Sequence, residues 1–152
     1  MVKVLVVYDT KHGNTKLVAE KIVEGLRQGE GIEVEISDVE KTDVDRVADF
    51  DAVLLGVPTH FGGPTRTITR FIDDLGRQDM KGKQAAVFDT YLGEDFEKSV
   101  KKMEQRIAEK TGLHMITPGL SVRVAGMKGP VAEDELPKAR DFGTRIANHL
   151  KK

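Results

Sequence analysis

The 152-residue sequence has no cysteine, no tryptophan, five prolines and aromatic side chains at only 5%. Without cysteine there is no disulfide, iron–sulfur cluster, cysteine-rich zinc site or thiol nucleophile. Redox chemistry, if the protein performs any, must be imported with a cofactor. An excess of charge of one sign is also missing: 24 Lys plus Arg against 25 Asp plus Glu leaves a net charge of −1. That balance argues against an overall basic nucleic-acid or membrane binder. The apolar opening Val2-Lys3-Val4-Leu5-Val6-Val7 is too short to span a bilayer, and no small-residue cleavage site follows it. A cytoplasmic location is the expectation.

Hydrophobic residues at 39% and charged residues at 32% describe a globular chain. Its length suits one domain over residues 1–152, able to bury roughly two-thirds of its unfolded surface. Val4-Leu5-Val6-Val7-Tyr8 predicts a buried strand, and Asn14 or Thr15 then opens a helix with Val18, Ile22 and Leu26 inward. Ile32-Glu33-Val34-Glu35-Ile36 alternates strictly, which predicts an edge strand with one wet face. Val44, Val47 and Ala48 suggest a short helix or turn. Asp51 to Val57 and Gln84 to Phe88 predict the third and fourth strands, the former apolar on both faces.

Ile68, Phe71, Ile72 and Leu75 form a helical stripe, as do Phe96, Val100, Met103 and Ile107, so Phe96 reads as core. A fifth strand is expected within residues 114–124, interrupted near Pro118-Gly119, before a last helix carrying Leu136, Ala139, Gly143, Ile146 and Leu150. Five strands alternating with five helical segments predict an α/β fold with a parallel sheet covered by helices on both faces. Ligands of such sheets bind at the carboxyl ends of the strands where strand order reverses.

Three loops at those ends are unusual. Thr10-Lys11-His12-Gly13-Asn14-Thr15 places hydroxyl and amide groups where a helix exposes its first unpaired N–H groups, an arrangement suited to an anion. An ordinary N-cap with a glycine turn is the competing reading. Neither the triphosphate-loop nor the dinucleotide fingerprint is present, so a single phosphate fits better than a pyrophosphate. Gly56-Val57-Pro58-Thr59-His60-Phe61-Gly62-Gly63-Pro64 offers backbone amides and two rings for a flat heterocycle, or else a proline-rich turn with Phe61 tucked inward. Phe88-Asp89-Thr90-Tyr91-Leu92-Gly93-Glu94-Asp95 carries one of only two tyrosines, placed to stack on a ring while its hydroxyl stays wet.

The run Val6-Val7-Tyr8-Asp9-Thr10-Lys11-His12-Gly13-Asn14-Thr15, continuing to Ala19 and Ile22, resembles the signature of the flavodoxin family. The resemblance spans the whole chain in element order. It implies a flavodoxin-like three-layer α/β/α sandwich with a five-stranded parallel sheet of order 2-1-3-4-5, of the short-chain type. It further implies FMN, with the phosphate at Thr10, Lys11, His12, Gly13, Asn14 and Thr15. His12 departs from the hydroxyl residue common there, which shifts the expected contact to its backbone N–H. The flavin ring would lie between Pro58, Thr59, His60, Phe61 and Gly62 on one side and Asp89, Thr90, Tyr91, Leu92 and Gly93 on the other.

The implied function is an electron carrier rather than an enzyme with its own substrate. It would shuttle low-potential electrons between redox enzymes through the flavin semiquinone and hydroquinone. Its partners would be a donor reductase or ferredoxin-dependent enzyme and an acceptor enzyme, and the chain itself a monomer or weak dimer. Pro58-Thr59-His60-Phe61-Gly62 also resembles the loop of quinone reductases of the tryptophan-repressor-binding-protein type, so an FMN-dependent NAD(P)H:quinone reductase is the alternative. A phospho-receiver module is disfavoured, because Asp9 stands alone and Pro58-Thr59 occupies the place of a phosphoacceptor.

No histidine pairing supports a metal site. The run Lys98, Lys101, Lys102, Glu104 and Arg106 reads as the wet face of a helix, and Lys151-Lys152 as a solvated tail. Flavodoxins are commonly strongly acidic, so the near-neutral balance is the main departure from the family. It predicts weak long-range steering and a partner patch that is local.

Overall fold

The computed structural model describes residues 1–150, and the Lys151-Lys152 tail lies outside them. Three apolar runs form the centre of a parallel sheet: β1 (Val2–Tyr8), β3 (Ala52–Pro58) and β4 (Gln84–Tyr91). Val4 to Val7 and Val53 to Leu55 are fully buried on both faces, as strands sandwiched between helices must be. The alternating segment forms β2 (Ile32–Asp38) at the edge, with Glu33 and Glu35 turned to solvent. The fifth position is divided. β5 (His114–Met115) pairs with the start of β4 and β6 (Leu120–Arg123) with its end, on either side of the interruption at Pro118-Gly119. Every pairing is parallel and the order is β2-β1-β3-β4-β5, so strand order reverses between β1 and β3.

On one face α1 (Asn14–Leu26) and α4 (Leu136–Leu150) cover a core that includes Ile22, Leu26, Phe88 and Phe142. On the other, α2 (Arg66–Leu75) and α3 (Lys98–Lys110) cover Leu55, Ile68, Ile72, Leu75 and Met103. Each of these fully buried side chains contributes on the order of 1.5–3 kcal/mol. Among the described residues only four connections or termini are α-helical. Residues 39–49 instead form two 3-10 turns, capped by the Asp38 and Asp43 carboxylates, which accept from the amides of Glu40 and Asp45. Two aspartates that bond their own backbone locally favour such turns over a continuous helix.

α1 and α4 approach closely because both present glycine at the crossing. A Cβ on Gly25 would collide with the Arg140 carbonyl, and one on Gly143 with the Ile22 carbonyl. That contact anchors α1, and with it the loop that precedes its first turn.

Phe96 corrects the sequence expectation. α3 begins at Lys98, after Glu97 in the left-handed region (φ 63°), so Phe96 lies outside the helical register, more than half exposed. Its ring instead packs edge-on against Tyr91, with centroids 5.5 Å apart.

Candidate functional site

The carboxyl ends of β1, β3 and β4 open onto a cleft of about 370 Å³ at the point where strand order reverses. Twelve of the sixteen residues expected at the site line it: Thr10, Lys11, His12, Asn14, Thr15, Pro58, Thr59, His60, Phe61, Thr90, Tyr91 and Leu92. Gly13, Gly62 and Gly93 are absent from the lining and carry the loop backbone instead, all at positive φ. Three more side chains, Asp95, Val124 and Met127, complete the walls.

At one end of the cleft lies the N-terminus of α1. Gly13, at φ 88°, is its N-cap and supplies no side chain to its first turn, so those amide groups face the cleft without an intramolecular cap. Nothing lies within 4 Å of the place a Gly13 Cβ would occupy. The Thr10 hydroxyl holds the turn by accepting from the Gly13 amide at 2.9 Å. An uncapped helix start with open space before it is an anion cradle.

A polar web forms the floor. The buried hydroxyls of Thr15 and Thr90 share a hydrogen bond at 3.1 Å, and the Thr59 amide donates to the Thr90 carbonyl at 2.8 Å. The Thr59 hydroxyl in turn bonds that of Ser99 at 2.8 Å. One chain of contacts thus ties α1, β4, β3 and α3 under the cleft.

Asp89 belongs beneath this floor rather than in the cleft. β4 runs three residues past Phe88, and strand alternation turns Asp89 toward α3 while Thr90 faces α1. Its fully buried carboxylate accepts from the Ser121 hydroxyl at 2.6 Å and the Val100 amide at 3.0 Å. It therefore caps the first turn of α3, which has no cap of its own at Glu97. Burial raises its carboxyl to about 6, against the lowering effect of the Ser121 hydroxyl and the amides of Val100 and Ser99.

At the other end the walls are rings and apolar side chains. His60 and Gly63 close a tight turn by exchanging backbone hydrogen bonds of 2.9 and 3.1 Å. Its two central residues, Phe61 (φ 52°) and Gly62 (φ 75°), are both left-handed, as in a type I′ turn. Phe61 is fully exposed, which resolves the open choice between an inward and an outward ring. The Lys102 ammonium donates to the Gly62 carbonyl at 2.8 Å and holds the turn against α3. Tyr91, steadied by Phe96, stands opposite. Its phenol is raised above its usual pKa by burial and by the Glu135 carboxylate. Val124 and Met127 close the third side from the loop after β6, where Val124 and Val131 bridge.

Residues 5–127 match the family model described as a flavodoxin domain. This chain belongs to the flavodoxin family. The members of this family bind FMN and transfer electrons between redox proteins. The chain is similar to a flavodoxin of Aquifex aeolicus (strain VF5), 41% identical over 96 residues, covering 61% of this chain and 52% of that protein. It therefore spans about half the length of that relative. A flavodoxin of Clostridium saccharobutylicum is 27% identical over 98% of both chains. Among solved structures, an archaeal flavodoxin superposes with a TM-score of 0.85 at 24% identity, covering 99% of this chain and 100% of that one. Among the described residues no helix is long and apolar enough to cross a membrane.

The site has the features this cofactor needs. A flavodoxin must hold one phosphate and one flat ring system, and the cleft offers an uncapped helix start at one end and ring side chains from two different loops at the other.

Proposed function

We propose that this chain holds FMN in the cleft and passes single electrons between a reducing and an oxidising partner protein. The observation that carries the reading is the pairing, in one cleft, of the open α1 N-terminus with the slot between the 60–63 turn and Tyr91. FMN, when bound, supplies the one- and two-electron chemistry. The protein supplies position and environment.

The first-turn amides of α1, with Asn14 and Thr15 beside them, hold the phosphate through hydrogen bonds and the positive end of the helix dipole. Lys11 and His12 are exposed at the mouth, where Lys11 adds charge and the His12 amide adds a donor. Thr59 and Thr90 keep the floor rigid, because their own hydroxyls are already bonded to Ser99 and Thr15. Tyr91 and the 60–63 turn orient the ring and, with Val124 and Met127, exclude water from its faces. Such walls disfavour added negative charge, which pushes the final reduction step toward low potential.

The partners this site suits are a donor reductase or ferredoxin-dependent enzyme and an acceptor enzyme, with the chain acting as a monomer or weak dimer. Titration of FMN into the chain, followed by quenching of flavin fluorescence, tests the binding half of the reading. One FMN per chain, weakened at least tenfold by Tyr91→Ala, is expected. Absence of quenching, or binding indifferent to that change, contradicts it.

A further inference from the structure

The Lys102 ammonium at the Gly62 carbonyl marks the edge of a second groove, of about 470 Å³, that shares His60 and Phe61 with the cofactor cleft. It runs between α2 and α3 past Thr69, Gln105 and Arg106. The sequence pattern gives α3 only a solvated face, but the fold sets that face against the rim of the cleft.

The charge on α3 is one-sided. α3 carries five cations against two acids within a chain of net charge −1. Of those acids, Glu104 is turned to the Gly119 amide at 2.9 Å, and Glu109, which accepts from Gln105, keeps its charge at the far end of the groove. Asp73 is taken by the Arg106 guanidinium through two bonds of 2.7 Å. Asp95 and Glu97, beside the cleft, are paired with Lys98 at 3.0 Å and Lys101 at 3.7 Å. On α2 and α3 the cations without a carboxylate partner among the described residues are exposed Lys102 in the groove, exposed Lys110 at the far end of α3, and Arg66 and Arg70, exposed one turn apart on α2 beside Thr69 but outside the groove lining.

At the lip of the same groove Phe61 stands fully exposed on a left-handed, non-glycine backbone position. An apolar ring in water and a left-handed φ are each unfavourable, and both persist at functional surfaces. Aromatic side chains are enriched among the anchors of protein-binding centres, and Phe61 shares its groove with Lys102.

We propose that this groove and the adjoining exposed face of α2 dock an acidic one-electron carrier protein. Its carboxylates would meet Arg66, Arg70 and Lys102, its apolar surface would cover Phe61, and its redox centre would face the mouth of the cofactor cleft. The proposal rests on the cleft being the FMN site. The partner's chemistry follows from charge complementarity: α3 carries five cations against two acids although the whole chain, with an added phosphate, is negative. The two predict opposite salt dependence, because attraction to an acidic partner weakens with salt and net repulsion is relieved by it.

The test uses the FMN-loaded protein and two probes of opposite charge: a plant-type [2Fe–2S] ferredoxin, which is acidic, and cytochrome c, which is basic. In the first reaction reduced ferredoxin gives one electron to the oxidised holoprotein, and its cluster is oxidised by one electron. In the second the reduced holoprotein gives one electron to ferric cytochrome c, which becomes ferrous. Stopped-flow rates are followed from low to high ionic strength.

The ferredoxin rate is expected to fall as salt rises. In the Arg66→Glu/Arg70→Glu variant it should drop about tenfold at low salt, and its salt slope should invert. The cytochrome c rate should rise in that variant. Unchanged flavin absorbance and melting temperature in the variant show that the change acts on docking. A wild-type ferredoxin rate that rises with salt overturns the proposal, as does a variant with wild-type rates. NADPH reducing the flavin directly, and slowed by the same variant, would make the groove a nucleotide site and also overturn it. Failure of the chain to retain FMN is visible beforehand in the absorbance spectrum, and it defeats the cofactor reading itself.

Discussion

Replacing Asp89 by asparagine isolates the effect of the buried carboxyl under the cleft. In the folded chain this group rises from 3.8 to about 6 because burial disfavours its charged form. A rise of that size corresponds to about 3 kcal/mol. The folded state binds the proton more tightly than the unfolded state, so folding is favoured by protonation. That contribution is complete below the unfolded value of 3.8 and is lost as pH rises through about 6. Asparagine keeps an acceptor for the Val100 amide and carries no charge at any pH. The stability of the wild type relative to Asp89→Asn should therefore fall by about 3 kcal/mol between roughly pH 3.5 and 7.5. Urea unfolding of both cofactor-free chains at matched pH measures this, since other carboxylates cancel in the difference. A difference that is flat, or that grows with pH across the window, would refute the assignment of burial as the dominant influence on Asp89.

Gly143→Ala forces a methyl group into the Ile22 carbonyl, so it should destabilise the chain by about 3 kcal/mol or more in thermal melts. A melting temperature within a degree or two of wild type would contradict the close α1–α4 crossing. Gly13→Ala meets no neighbour, so its cost should be only the left-handed backbone, about 1–2 kcal/mol, together with weaker FMN binding by fluorescence titration. Lys102→Met removes the cation from the Gly62 carbonyl, and hydrogen exchange at the His60 and Gly63 amides should then rise at least tenfold. Unchanged exchange would mean that the turn is held by its own backbone bonds alone.

Much of the fold was legible because burial on both sides leaves continuous apolar strands. β1, β3 and β4 read directly, and strict alternation placed β2 at the edge. The divided fifth position was readable from Pro118-Gly119. The first loop could be located before a helix from its hydroxyl and amide residues. Its composition alone left an ordinary N-cap and an anion site open, and the structure shows Gly13 as an N-cap with no side-chain bond. Asp89 misled because aspartate is depleted in strands, so β4 read as ending early, although the Thr90 and Tyr91 that follow are strand-favouring, and the carboxylate read as belonging to the loop. Phe96 misled through its i, i+4 spacing with Val100, which carries no information about Glu97 breaking the register.

Met127 and Val124 were missed altogether, because the stretch after β6 has no periodicity. Its only signal is Gly126 and Gly129 flanking an exposed methionine before Pro130. The charge on α3 was visible, but its nearness to the cleft depends on the packing of α2 against α3. No spacing rule within one helix can supply that.

The central claim, that the cleft makes FMN a single-electron carrier, is tested most directly by stepwise anaerobic reduction of the FMN-loaded protein followed by visible absorbance. Two separated one-electron steps are expected, with little oxidation of NADH or NADPH by added quinone. A single two-electron step accompanied by rapid NAD(P)H–quinone turnover would contradict the account and favour a reductase.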